Sequence, residues 1–287
     1  MIIKQLAVPK TSHQSFHIRR DFKPRHQSVW HYHEELEMVH VFKGSGTLFL
    51  GDCIKPFESG DTALIGPQIP HYWLFDDYPN NLEESTIDCL VIHFLKDFNI
   101  PQIFHAPEFS NIKGLLDTAA RGAFLSHQFD KLSPTYLGDI DNHAGISKFS
   151  LLLQFLDGMS GLPVELLTSE NYARLNHTED QYRMNSLMEY IRLNFKQKIR
   201  LEDLAHIAGL TENSFCRYFK QKTSKTPIQF LTEIRISHAC FQLRNSDASL
   251  KEICYDSGFN NFVSFHKLFK LYTGETPNTY KLNIKRK

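Results

Sequence analysis

The feature that most restricts what this chain can fold into is a duplication in its C-terminal third. The segment LEDLAHIAGLTENSFCRYFKQKTSKTP (201–227) aligns with LKEICYDSGFNNFVSFHKLFKLYTGETP (250–277), the second copy carrying one extra residue. Gly209 falls on Gly258, Ser214-Phe215 on Ser264-Phe265, Phe219-Lys220 on Phe269-Lys270 and Thr226-Pro227 on Thr276-Pro277. A self-similar stretch of this kind is one supersecondary unit used twice. In each copy small or apolar residues recur at helical spacing: Leu201, Leu204, Ala205 and Ala208, then Leu250, Ile253, Cys254 and Ser257. That pattern predicts a short amphipathic helix. Gly209 and Gly258 can take the left-handed backbone that ends it, and Thr211 and Asn260 suit the N-cap of a second helix.

In the second helix of the first copy, Phe215 and Phe219 are expected to face inward and Asn213, Cys216, Arg217 and Lys220 outward. In the repeat, Phe265 and Phe269 face inward and Val263, His266, Lys267 and Lys270 outward. The pattern is a helix-turn-helix, twice. Between the copies, Thr226-Pro227 reads as the N-cap and first residue of a long helix ending near Asn245. About 20 residues at 1.5 Å rise span roughly 30 Å, close to the ~34 Å between successive major grooves on one face of a duplex. Met184, Leu187, Met188 and Ile191 predict one more helix ahead of the first unit.

Charge points the same way. The formal net charge is zero, but residues 183–287 hold 18 Lys and Arg against 9 Asp and Glu, and residues 1–182 hold 14 against 23. A basic module attached to an acidic remainder suits a polyanion such as DNA, because cationic side chains release its condensed counterions. On a major-groove edge Arg can pair with guanine and Asn with adenine. No apolar run approaches the roughly 20 residues of a membrane span, and no secretory leader is visible, so a cytoplasmic protein is expected. Five scattered cysteines without a Cys-x-x-Cys pattern fit reduced thiols.

Residues 184–281 resemble the DNA-binding domain of the AraC/XylS family of transcription regulators. The likeness rests on the Arg217-Tyr-Phe-Lys element, the Asp256-Ser-Gly-Phe turn and the closing Thr-Gly-x-Thr-Pro at 273–277. The resemblance implies base contacts from Asn213, Cys216 and Arg217 in the first unit and from Val263, Ser264 and Lys267 in the second. It places Thr211, Lys220 and Lys270 nearer phosphates. It further implies a promoter operator in double-stranded DNA, RNA polymerase as a partner, activation, and a homodimer.

Residues 1–107 read differently: short Val-, Ile-, Phe-, Tyr- and Thr-rich segments punctuated by Gly, Pro, Asn and Asp predict many short strands in a small β-barrel or double sheet. In WHYHEELEMVHVF, His31, His33 and Glu37 are expected on one face of a single extended strand, and His71 and Trp73 share a face of a later one. The spacing His31-x-His33-x-x-x-Glu37, with Gly60 through Pro67 to His71, resembles the two cupin motifs. The resemblance implies that His31, His33, Glu37 and His71 could hold a divalent metal, or that these residues and Trp73 contact a small effector, a sugar first among the candidates. It also opens an alternative, a metal-dependent cupin enzyme (dioxygenase or isomerase) working through the same four residues, although no catalysis and no cofactor is required of a regulator. Trp30, Tyr32, Tyr72 and Trp73 are expected near the barrel mouth.

Apolar stripes at Ile112, Leu115, Leu116 and Ala119, and at Ile146, Phe149, Leu153 and Leu156, predict helices over 108–167 that close the barrel or pair two subunits. A polar stretch, 168–182, reads as the linker, and 183–287 as the double helix-turn-helix domain. The fold class expected is a two-domain α+β protein, a cupin-like barrel with dimerisation helices followed by an all-α DNA reader.

Overall fold

The computed structural model describes residues 4–8, 15–22, 30–76, 87–100, 102–126, 133–173 and 178–284. The linker expected at 168–182 falls partly outside them. Among the described residues, eleven strands occupy the N-terminal part: β1 (Lys4–Gln5), β2 (Phe16–Asp21), β3 (His31–Tyr32), β4 (Leu36–Lys43), β5 (Gly46–Leu50), β6 (Cys53–Phe57), β7 (Thr62–Ile65), β8 (His71–Phe75), β9 (Asp88–Phe94), β10 (Ala123–Leu125) and β11 (Glu165–Leu166). They form a five-stranded sheet, β1-β3-β8-β5-β6, and a six-stranded sheet, β11-β10-β7-β4-β9-β2. All pairings are antiparallel except β1 with β3.

Period-two alternation divides each strand between two cores. From β4, Val39 and Val41 point between the sheets to meet Trp73, Phe57 and Val91, while Leu36 and Met38 point outward. There α1 (Ser110–Thr118), α2 (Ser133–Leu137) and α3 (Gly145–Ser160) cover the six-stranded sheet through Ile112, Leu115, Leu116, Leu137, Leu152, Phe155, Leu156 and Met159. The stripe expected on α3 is rotated: Ile146 is 77% exposed, and the buried face is Leu152, Phe155, Leu156 and Met159. α3 is apolar on most sides, so periodicity alone does not choose its buried face. Between α1 and α3 the chain also carries α2 and a 3-10 turn at Ile140–Asn142.

After α4 (Glu170–Ala173), α5 (Thr178–Asn194) buries Met184, Leu187, Met188 and Ile191. Then come α6 (Leu201–Ala208), α7 (Glu212–Thr223), α8 (Pro227–Asn245), α9 (Leu250–Asp256), α10 (Phe262–Thr273) and α11 (Pro277–Ile284). Thr226 caps α8, its hydroxyl accepting from Gln229 N while the Gln229 side chain accepts from Thr226 N. The two ends of α8 serve different cores. Phe230 and Ile234 pack with Phe215 and Phe219; Ile236, Ala239 and Leu243 pack with Ile253, Phe265 and Phe269.

The outer face of the five-stranded sheet is turned to this helical domain. The Arg192 guanidinium of α5 lies 5.2 Å from the Tyr72 ring centre, Ser237 Oγ of α8 donates to Thr47 Oγ1 at 3.2 Å, and Lys225 Nζ donates to the Asp52 carbonyl at 3.2 Å. At the end of β8, Asp76 accepts from Arg244 Nε at 2.7 Å, Arg244 Nη2 at 3.2 Å, Asn245 Nδ2 at 3.1 Å and Ser45 Oγ at 2.6 Å. The Asp76 side chain is 0% exposed and that of Arg244 14%. Among the described residues, no helix is long and apolar enough to cross a membrane.

Two outcomes follow. Asp76→Ala leaves the Arg244 guanidinium buried and unpaired, so the urea midpoint should fall by the equivalent of about 3 to 5 kcal/mol, with Asp76→Asn milder. The duplicated glycines should differ. Gly209 (φ 66°) ends α6 in open space, whereas a Cβ on Gly258 (φ 84°) would lie 2.5 Å from Phe195 O and 2.9 Å from Arg235 Nε. Gly209→Ala should therefore cost about 1 to 2 kcal/mol, and Gly258→Ala measurably more in the same denaturation series.

Candidate functional site

The reader is built from the turn upward. Gly209 takes the left-handed conformation as C-cap of α6, and the Thr211 hydroxyl accepts from Ser214 N to start α7. In the second unit the cap is Asn261, not Asn260: its Oδ1 accepts from Ser264 N at 2.8 Å. The extra residue of that copy lies in the turn and shifts the cap by one. Phe215 and Phe219, like Phe265 and Phe269, are fully buried, and each pair packs edge to face at 5.8 and 5.7 Å.

This burial fixes the opposite face. Thr211, Asn213, Arg217 and Lys220 are exposed on the first unit, and Val263, Ser264, Lys267 and Lys270 on the second. Cys216 and His266, which occupy equivalent places, are half-buried on the flank toward the core, and the His266 ring lies 6.4 Å from that of Phe262. Among the described residues, the side chains of Asn213, Arg217, Lys220, Lys267 and Lys270 have no hydrogen-bond or ion-pair partner. Other cations of the same domain are engaged: Lys222 with Asp180 at 2.9 Å, Lys225 with Glu233 at 2.7 Å and Arg244 with Asp76. The donors on the two outward stripes are thus left available, as are those of Lys198 and Lys251 elsewhere on the domain.

A second cluster lies between the sheets. His31, His33 and Glu37 do not share one strand: β3 belongs to the five-stranded sheet and β4 to the six-stranded one. The chain bends at Glu34–Glu35, and the His33 Nδ1–H donates to the Glu35 carbonyl at 2.9 Å. His71 enters from β8, opposite His31 in the register, with its Nδ1–H on the Ile69 carbonyl at 2.8 Å. One ligand atom from each of His31, His33, Glu37 and His71 lies within 4.8 Å of the others, and all four residues are buried. The His71 ring is 4.3 Å from that of His31 and 5.1 Å from that of His33.

One member of the cluster is not signalled by the motif spacing. His93 of β9 stands opposite Glu37 of β4, and its Nε2 meets Glu37 Oε2 at 2.9 Å. Inward alternation on β9 makes His93 a candidate, but the pairing with Glu37 is non-local. Trp73 is 1% exposed, with its indole N–H donating to Glu37 Oε1 at 3.4 Å and its ring against Phe57. It floors the cluster and does not line a mouth. Tyr72, its neighbour, faces the helical domain.

Burial alone would raise the Glu37 carboxyl; His71, His33 and His93 together hold it well below the usual carboxylate range. Burial opposes charge on His33, but the nearby Glu37 carboxylate and the Glu35 carbonyl and carboxylate together outweigh it, leaving the imidazole above its ordinary value. The Nε2 atoms of His33 and His71 are each 3.4 Å from Glu37, yet both are buried without a hydrogen-bond partner. Their Nδ1 protons are committed to carbonyls, an arrangement that orients Nε2 as a metal ligand. Three imidazoles and one carboxylate suit a divalent transition metal, so the residues fit such an ion.

Residues 204–283 match a family model described as a helix-turn-helix domain, and residues 19–77 one described as a cupin domain. The chain is 24% identical over 263 residues to an uncharacterised HTH-type transcriptional regulator of Bacillus subtilis, YdeC, across 88% of this chain and 85% of that one. It is 24% identical over 244 residues to the HTH-type transcriptional activator RhaS of Mannheimia succiniciproducens, across 84% of each. Among solved structures, a transcriptional regulator with an AraC-type DNA-binding domain from Chromobacterium violaceum is similar at TM-score 0.35 and 19% identity, over 38% of this chain and 96% of that one. Both of these relatives are named for transcriptional regulation.

Titrated with zinc or manganese, the protein should take up one ion per chain. His33→Gln and His71→Gln should abolish uptake in calorimetry, while His93→Gln, which removes only a partner of Glu37, should weaken it about 10- to 100-fold. Equal loss in all three variants would contradict the separate role given to His93.

Proposed function

We propose that this chain is an AraC-type DNA-binding transcription regulator carrying a cupin domain, a sensor whose buried His/Glu cluster governs how two recognition helices engage a promoter operator. The observation that carries the reading is the pair of outward stripes, whose amide, guanidinium and ammonium donors have no partner among the described residues. Each recognition helix enters a major groove, and α8 sets their separation. Asn213 and Arg217 make the hydrogen-bonding base contacts, to adenine and guanine edges. Lys220, Lys270 and Thr211 hold phosphates, and Lys267 contributes charge near the base edges. Cys216 and His266 contribute from the flank.

On the input side, His31, His33, Glu37 and His71 hold the effector or a divalent ion. A bound ion would supply positive charge that neutralises Glu37 and cross-links the two sheets. Beside the cluster, Trp73, Phe57, Phe75 and Val39 are buried between the sheets, and such an apolar surround favours an ion or a very small polar molecule over a sugar. Strand β8 carries the signal. His71 lies in the cluster at one end, and Asp76 grips Arg244 and Asn245 of α8 at the other. Occupancy shifts DNA binding only by the difference in affinity of the two reader arrangements for the ligand. A homodimer, RNA polymerase as partner, activation and a cytoplasmic location complete the proposal.

The test separates the two kinds of contact. On duplexes selected from a random pool, Arg217→Ala should lose discrimination at one base position by about 1 to 3 kcal/mol, whereas Lys270→Ala should weaken all sequences alike and lower the salt slope by about one. If both variants behaved identically, the sorting of base from phosphate contacts would be wrong.

A further inference from the structure

Resting on the reading of α10 as a DNA-recognition helix, we propose that the second unit selects a thymine through apolar contact between Val263 and the 5-methyl group in the major groove. Val263 is 76% exposed. Isolated exposed apolar residues are common on protein surfaces, so exposure alone decides nothing. Its place decides more. Val263 is the second residue of α10, directly after the Asn261 cap and Phe262, in the N-terminal turn that reaches base edges when such a helix docks. Lys267 and Lys270 follow one and two turns along the same face, both exposed and without a described partner. They supply the attraction that brings this face against phosphates.

Phe262, beside it, is drawn toward the helix surface, its ring 6.1 Å from Phe265 and 6.4 Å from His266. Val263 belongs to none of the reader's packed clusters and stands clear of them. As a β-branched residue in a helix it holds essentially one χ1 rotamer, so it loses little freedom on contact.

The chemistry of the groove then chooses the base. In the first unit the equivalent position is Asn213, whose amide can pair with adenine. Val263 has no donor and no acceptor. Pressed against guanine, adenine or cytosine edges it would bury polar atoms without replacing their hydrogen bonds to water. The thymine methyl is the apolar group that a standard base pair offers on that side. The two units therefore read in different chemical languages, hydrogen bonds in the first and an apolar contact with nearby charge in the second.

The experiment uses the full chain and a duplex selected from a random pool, with each thymine replaced in turn by deoxyuridine, which lacks only the methyl. One thymine in the second unit's half-site should respond with an affinity loss of about three- to fivefold, the worth of one buried methyl. Val263→Ala should bind the thymine duplex more weakly by a similar factor and be indifferent to deoxyuridine there. Cytosine at that position should weaken the wild type, and 5-methylcytosine should recover part of the loss. Deoxyuridine harmless at every position, or a penalty undiminished in Val263→Ala, would overturn the proposal while leaving selection of a site, and hence DNA reading, intact. Failure of the chain to select any site would overturn the DNA-reading assignment itself.

Discussion

Helix α8 is the constraint on which the DNA reader depends. Its first half completes the core of one helix-turn-helix unit through Phe230 and Ile234, and its second half completes the other through Ile236, Ala239 and Leu243. The separation of the two recognition helices is thus set by a count of residues at 1.5 Å each, and their relative rotation by the same count at 100° each. Neither can drift while the helix stays intact. The Gln229–Thr226 capping box and Pro227 fix where it starts, and Ser246 N bonds the Gln242 carbonyl where it stops. A third side of the helix is polar and meets the barrel through Ser237, Arg244 and Asn245. This triple packing explains why α8 shows no single apolar face.

The barrel end of that contact is equally constrained. His71, Trp73 and Phe75 point between the sheets and Tyr72 and Leu74 toward the helices, so β8 belongs to both environments at once. Five residues at about 3.3 Å separate His71 from Asp76, roughly 17 Å. The strand is held along its length by β5, through Phe49 with Tyr72 and Leu48 with Trp73. At its far end the Asp76 carboxylate accepts from Arg244 and Asn245 of the reader and from Ser45 of the barrel. Arg244 is held charged far above any physiological pH: burial opposes its charge, but the Asp76 pair outweighs it. The link does not switch off by titrating the arginine.

Much of the helical domain was legible because its signals are local. The buried positions Met184, Leu187, Met188 and Ile191, the paired phenylalanines, and the start and end of α8 all follow from spacing within one helix and from caps that act within four residues. The shift from Asn260 to Asn261 shows the limit: with one inserted residue, two adjacent asparagines are equally good caps on paper, and only the turn geometry selects one. The cluster in the barrel was legible as a residue set but not as geometry. That His31 and Glu37 lie on strands of different sheets depends on a bend at Glu34–Glu35, and that His93 joins Glu37 depends on a pairing 56 residues apart. Period-two alternation says which side a residue faces, not which residue it will meet. The Asp76–Arg244 contact, 168 residues apart, is still less local.

The charge asymmetry acquires a geometric meaning in the fold. Residues 1–182 hold 23 Asp and Glu against 14 Lys and Arg, and residues 183–287 the reverse imbalance, 9 against 18. An acidic domain fused to a DNA reader is repelled by phosphate and attracted by the reader's own cations, so it must be held away from the duplex without consuming the groups that bind it. The structure meets both demands by docking the barrel on α5, α8 and the turn after α7, through Arg192, Lys225, Ser237 and Arg244. Arg217, Lys220, Lys267 and Lys270 take no part in that contact. Competition between acidic barrel and DNA for the same cations is limited because the cations that meet the barrel, Arg192, Lys225 and Arg244, are not those of the outward stripes. The buried Arg244–Asp76 pair is shielded from salt and the exposed stripes are not. Ionic strength should therefore weaken the grip on DNA well before it loosens the union of the two domains.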